Sequence, residues 1–181
     1  MNIDRALETT GWMMESELTY LASLAEKSYL IAEVGSWMGR STCALAANCG
    51  CGLVIAVDTW QGSAEHVSTL AGKPEGWLFS EFRRNTKGLP VMPIPLTSLD
   101  AAFLLSKPRM EFDLIFLDAS HDYESVKADI LAWMPLLAPG GVICGHDFDP
   151  PNWMGVKRAV EECVHGFSVV PGTTIWTTEG A

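Results

Sequence analysis

The 181 residues suffice for one domain, and 48% apolar against 19% charged residues supply a sizeable core and exclude a disordered acidic chain. Twelve Lys and Arg against 22 Asp and Glu leave a net charge of −10, which argues against nucleic acid or an anionic membrane surface as partner. No apolar run approaches the roughly 18 residues that a transmembrane helix needs, and the N-terminus lacks a signal-peptide pattern, so a cytoplasmic protein is expected.

Met14, Leu18, Leu21 and Leu24 recur at helical spacing and predict an amphipathic helix over residues 14–27, with residues 1–28 as an N-terminal helical segment packed on the core. Residues 29–35 read as a buried strand stopped by Gly35, 41–48 as a helix of small residues, and 53–58 as a second buried strand. Residues 61–76 show no period and read as a loop. Phe79 and Phe82 suggest a helix ending near Gly88, and residues 91–96 a short strand that Pro93 and Pro95 push to a sheet edge. Ser98 is expected to cap a helix running to Leu105. Residues 112–118 form a third strong strand. Val126, Ile130, Trp133, Met134 and Leu137 share one helical face, which Pro139-Gly-Gly141 ends before a strand at 142–144. A further helix carries Val156, Val160, Cys163 and Val164, and residues 167–177 read as a hairpin around Pro171-Gly172. Continuously apolar strands alternating with helices imply a parallel sheet covered on both faces, in a single domain spanning 1–181. The five cysteines (43, 49, 51, 144 and 163) are odd in number and unevenly spaced, so they make a poor disulfide framework. Cys49-Gly-Cys51 lacks the second pair that zinc requires, so small apolar packing is expected.

In open α/β sheets the ligand sits at the carboxyl ends of the strands. Here those ends read Glu33-Val-Gly-Ser-Trp-Met-Gly-Arg-Ser-Thr42, Asp58-Thr-Trp60, Asp118-Ala-Ser-His121 and Gly145-His-Asp147. Aligning Gly35 with the first glycine of a dinucleotide fingerprint puts Trp37 where a glycine must admit the pyrophosphate, so a nucleoside without a pyrophosphate suits the turn better. A side chain at Gly35 is expected to occupy the ligand's space. Asp58 can accept hydrogen bonds from a ribose diol.

These segments, together with Leu117-Asp-Ala-Ser-His-Asp-Tyr-Glu-Ser-Val-Lys-Ala-Asp129 and Leu137-Ala-Pro-Gly-Gly-Val-Ile-Cys-Gly-His-Asp147, resemble class I S-adenosylmethionine-dependent methyltransferases, and among them methyltransferase family 24, related to small-molecule O-methyltransferases. The resemblance covers roughly residues 29–165. It implies a Rossmann-like, doubly wound, mostly parallel seven-stranded sheet with helices on both faces and a C-terminal antiparallel hairpin. It further implies that Glu33, Gly35, Ser36 and Gly39 line the methionine part of the cofactor. Ser41 and Thr42 would lie at the following helix start, where N–H groups favour a carboxylate. Asp58 would hold the ribose, Trp60 flank the adenine or stand as a packed loop aromatic, Thr97 and Ser98 meet the adenine edge or serve as a plain N-cap, and Asp118 sit beside the methyl donor.

The implied reaction is methylation of a small-molecule acceptor at a hydroxyl group, whose proton must be removed. His121 is the candidate base, because imidazole titrates near neutral pH. The alternative is Mg²⁺ held by Asp118 and Asp147, although His146 and Phe148 stand where metal-dependent relatives carry an oxygen ligand. His66 and His165 fall outside the motifs and read as surface residues. Trp12, Trp37, Trp77 and Trp153 fit an aromatic acceptor or a homo-oligomer surface. The competing readings are a cofactor-binding protein without catalysis and a nicotinamide-dependent oxidoreductase, the latter disfavoured by Trp37.

Overall fold

The computed structural model describes residues 1–63, 66–107, 109–149 and 151–179. In chain order the elements are α1 (Asp4–Glu8), α2 (Glu15–Ala25), β1 (Leu30–Val34), α3 (Arg40–Ala46), β2 (Leu53–Val57), α4 (Val67–Leu70), α5 (Trp77–Asn85), β3 (Val91–Ile94), α6 (Ser98–Ser106), β4 (Phe112–Leu117), α7 (Tyr123–Trp133), β5 (Leu137–Gly145), α8 (Met154–Cys163), β6 (Ser168–Val169) and β7 (Trp176–Thr177). The strands form one seven-stranded sheet of order β3-β2-β1-β4-β5-β7-β6. β1 to β5 pair in parallel, and β7 runs antiparallel between β5 and β6. The order reverses between β1 and β4, and such a reversal opens a crevice at the strand ends.

Alternate strand residues serve opposite faces. Ala32, Val34, Ile115 and Leu117 pack with Ala101 and Leu105 of α6, Ile130 and Trp133 of α7, and Val156 and Val160 of α8. Ile31, Leu114, Phe116 and Cys144 pack with Leu18 and Leu21 of α2 and Leu45 of α3. Both faces are therefore dry, as the apolar runs require. A smaller cluster of Met38, Trp60, Leu78 and Phe82 seats α5. All five cysteines are free thiols.

The structure departs from the sequence reading in three places. The stretch 61–76 contains the short helix α4; its residues 64 and 65 lie outside the described ones. The cap of α6 is Thr97, whose hydroxyl accepts from Asp100 N at 3.2 Å, while the Ser98 hydroxyl accepts from Trp133 Nε1 at 2.9 Å. β5 begins at Leu137, before Pro139 and the two glycines. Gly140 takes φ 79° and the pairing with β4 shifts between Phe112 and Leu114, so the chain bulges at the Pro-Gly-Gly segment and remains strand.

Gly35 corrects a fourth expectation. Its φ is +92°, and a Cβ there would fall on the Asp118 carbonyl oxygen and lie 2.7 Å from Ala119 Cα, so it would meet the β4 turn rather than the crevice. The glycine is what lets the turns after β1 and β4 touch. Gly35→Ala is therefore expected to cost at least about 2 kcal/mol of stability. A urea-unfolding midpoint equal to wild type would contradict this close approach.

Candidate functional site

A cleft of about 630 Å³ opens at the β1/β4 reversal. Of the residues singled out from sequence, Gly35, Ser36, Ser41, Asp58, Thr97, Ser98, Asp118, His121 and Asp147 line it. The other four stand behind the wall. Glu33 and Thr42 are fully buried, and the Thr42 hydroxyl donates to Glu33 Oε2. Gly39 starts α3 with φ 89°. Trp60 packs between Phe79 (4.6 Å) and Phe82 (4.7 Å), with its Nε1 donating to Trp37 O at 2.9 Å.

Asp58 organises one end. Its Oδ2 accepts from Trp37 N (2.8 Å) and its Oδ1 from Trp60 N (2.7 Å). Both tryptophans hold left-handed backbone, φ 46° and 50°, a conformation disfavoured for large side chains. The carboxylate thus stabilises two strained turns at once, and its remaining lone pairs can still accept ligand hydroxyls. Burial pushes its pKa up, against the pull of these amides. Beside it, Glu33 Oε1 and Ser36 Oγ are buried, with the Ser36 hydroxyl next to the Glu33 carboxyl. Burial likewise raises the Glu33 carboxyl, against the hydroxyls of Ser41, Thr42 and Ser36.

The opposite end is a chain of acids and imidazoles. His121 Nε2 lies 2.8 Å from Asp147 Oδ2. His146 Nδ1 lies 3.3 Å from that oxygen and 3.6 Å from Asp118 Oδ1, and its Nε2 lies 3.0 Å from Glu17 Oε2. Asp147 reaches both rings from a left-handed backbone, φ 61°. Burial alone would lower the pKa of His146, but Asp118, Asp147 and Glu17 together push it up to about 11. Burial raises Asp118 to about 7, with His146 pulling the other way. Burial would also raise Asp147, but the two histidines hold it far below the usual carboxylate range. The ligand atoms of Asp118, His121 and Asp147 lie within 4.8 Å of one another, so one cation could bridge them. Trp153 stacks on His121 at 4.0 Å.

Glu17 went unread in the sequence. It is 1% exposed, and its partner His146 lies 129 residues away, beyond any local signal. Its Oε2 accepts from Met14 N (2.8 Å), and its Oε1 accepts from Thr174 N and Thr174 Oγ1 (3.0 Å each). Burial would raise its pKa, but His146 and the Thr174 and Met14 amides take it down to about 2. His66, expected at the surface, instead lines the cleft and lies against Trp37 at 4.0 Å. Trp12, Trp37 and Trp153 line it too, whereas Trp77 sits outside it under Lys73.

A family model described as a methyltransferase domain matches residues 32–148. Similar solved structures include an O-methyltransferase from Bacillus cereus in complex with S-adenosylhomocysteine (19% identity, TM-score 0.66, covering 97% of this chain and 89% of that one). Others are an S-adenosylhomocysteine-bound methyltransferase from Podospora anserina (16%, 0.66, 92% and 78%) and a TDP-rhamnose 3′-O-methyltransferase of calicheamicin biosynthesis (17%, 0.63, 88% and 75%). At these identities the likeness shows a shared fold. No curated protein matches the sequence.

The Glu17–His146 pair makes a testable contribution to stability. Glu17, held low, contributes above its ordinary pKa of 4.5 and loses that contribution as pH falls through about 2. His146, held high, contributes below its ordinary 6.5 and loses that as pH rises through about 11. Glu17→Gln removes one of the three carboxylates around a buried imidazolium, a loss of about 1–3 kcal/mol. The deficit should be largest between pH 4.5 and 6.5, inside both ordinary values, and should shrink toward pH 10. Denaturant titrations across that range check it, and a deficit independent of pH would refute the ionic pairing.

Proposed function

The chain belongs to the methyltransferase-domain family, and from that premise we propose that it transfers a methyl group from S-adenosylmethionine to a hydroxyl of a small molecule. The observation that carries this reading is the cleft itself, with a ribose-competent carboxylate, Asp58, at one end and an acid–imidazole cluster at the other. The buried Ser36 hydroxyl on the cleft wall suits a polar group of the cofactor. Ser36, Ser41 and the Gly35 turn hold its amino-acid end, Asp58 the ribose, and Thr97 and Ser98 the adenine edge. Glu33, Gly39, Thr42 and Trp60 act from behind the wall by holding those turns. When bound, S-adenosylmethionine supplies an electrophilic methyl group, and the protein's part is to align the acceptor oxygen with it. His121 takes the hydroxyl proton, and Asp147, 2.8 Å from its Nε2, orients the ring and stabilises the imidazolium that forms. Asp118 borders the meeting point of the two substrates.

A second reading places a divalent ion on Asp118 and Asp147 with His121, favoured by their convergence. The donor set suits a transition ion better than Mg²⁺. His146 already stands against both carboxylates, so the metal-free route is preferred.

S-adenosylhomocysteine should bind with one-to-one stoichiometry. Asp58→Ala should lose roughly 1–3 kcal/mol of that affinity while circular dichroism stays native; calorimetry giving equal affinities would refute the ribose role. EDTA should leave turnover unchanged, and His121→Ala should lower kcat about 10²–10⁴-fold, with the residual rate rising with pH. Chelation that abolishes turnover, reversed by Mg²⁺ or Mn²⁺, would select the metal reading.

A further inference from the structure

Residues 11–13 cross the mouth of the cleft as a strap tied at both ends. Arg40 donates from Nε to Met13 O (3.0 Å), and from Nη1 to Ala6 O (3.1 Å), Leu7 O (3.2 Å) and Thr9 O (2.7 Å). The strap lies directly on the arginine stem, because a Cβ at Gly11 would come 2.7 Å from Arg40 Cδ. On the other side Met14 N donates to the Glu17 oxygen that contacts His146, which brings the strap to the acid–imidazole end. Between the two ties, Trp12 lines the cleft yet is 67% exposed, its ring 5.6 Å from Trp37 and 5.2 Å from His66.

Arg40 is also the single Lys or Arg among the described residues that line the cleft. A guanidinium bonded to four carbonyls cannot swing to a phosphate without releasing the strap. The same end of the cleft carries Asp118 and Asp147, with Glu17 behind them, in a chain of net charge −10. An anionic acceptor would meet repulsion there and find no free cation among those residues.

Resting on the methyltransferase reading, we infer that the Arg40-held strap is the acceptor wall, that Trp12 selects the acceptor, and that the acceptor is an uncharged aromatic hydroxyl compound. Arg40 is a positioning residue, acting through Trp12, and the acceptor ring packs on the indole.

The test is calorimetric titration of 2-naphthol, and separately of TDP-rhamnose as anionic counter-probe, into protein saturated with S-adenosylhomocysteine. 2-Naphthol should bind and TDP-rhamnose should bind more weakly. Trp12→Ala should weaken 2-naphthol about tenfold, the worth of one aromatic contact with its burial, and leave S-adenosylhomocysteine affinity within about twofold. Arg40→Ala should match Trp12→Ala, Arg40→Lys should fall between Arg40→Ala and wild type, and the double variant should be no weaker than either single one. Trp12 is exposed, so its variant decides the acceptor claim whether or not Arg40→Ala folds. Absence of S-adenosylhomocysteine binding to the wild type would defeat the methyltransferase reading and this inference with it. Binding of S-adenosylhomocysteine with no 2-naphthol binding, equal 2-naphthol affinity in Trp12→Ala, or tighter binding of TDP-rhamnose would overturn the inference alone.

Discussion

Glu17 carries its carboxylate at 1% exposure, and a charge at that depth is unfavourable unless its lone pairs find donors. The donors come from three parts of the chain: Met14 N beside its own helix, Thr174 N and Oγ1 in the C-terminal hairpin, and His146 after β5. Satisfying this one group therefore joins the N-terminal helix, the hairpin and the strand ends that bear the chemistry. His146, held from behind, stands against Asp118 and Asp147, and Asp147 in turn fixes His121. Glu17 and Thr174 both lie outside residues 32–148, the span that the methyltransferase-domain model matches. The matched span supplies Asp58, Asp118, His121 and Asp147, and the segments on either side of it hold His146 from behind.

The strand ends are also where the backbone is least relaxed. Trp37, Trp60 and Asp147 all hold positive φ, which for non-glycine residues costs on the order of 1–3 kcal/mol each. The offsets are local. Asp58 bonds the amides of both tryptophans, Trp60 is buried among phenylalanines, and Asp147 is gripped by two imidazoles. A carboxylate that can also accept ribose hydroxyls thus maintains the turns around the ligand, so binding and local order are coupled at Asp58.

Much of the fold was legible because burial on both faces leaves a plain trace: β1, β2 and β4 are apolar runs broken only by Glu33 and Asp113, and the glycine and acid at their ends mark the crevice. The misread places are those where tertiary packing overrides local preference. Pro139-Gly-Gly141 looks like a strand boundary, but an αL glycine and a register shift absorb it within β5. Trp60 after Asp58 reads equally as an adenine platform or a packed loop aromatic, and only the tertiary contact with the phenylalanines of α5, which bury its ring, separates the two. Gly35 reads as room for a ligand, whereas its missing side chain makes room for the Asp118 backbone. Glu17 and Arg40 could not be assigned from sequence, since one depends on a histidine 129 residues away and the other on carbonyl oxygens that any residue supplies.

The electrostatics of the acid–imidazole cluster follow from how closely its charges are packed. Asp118, Asp147 and Glu17 place up to three negative charges within reach of one imidazole ring, and proximity of that kind requires a cation or a retained proton. This chain uses both. His146 stays charged, and Asp118, the carboxylate left furthest from it at 3.6 Å, rises to about 7. A divalent ion would answer the same demand with more charge, but it would have to share Asp118 and Asp147 with a ring already against them. His146 also differs from an ion in being covalently fixed to β5 and tied to Glu17, so its position is set by the fold and does not depend on solution metal. The consequence is a cluster whose polar contacts are preformed, with His146 fixed among Glu17, Asp118 and Asp147.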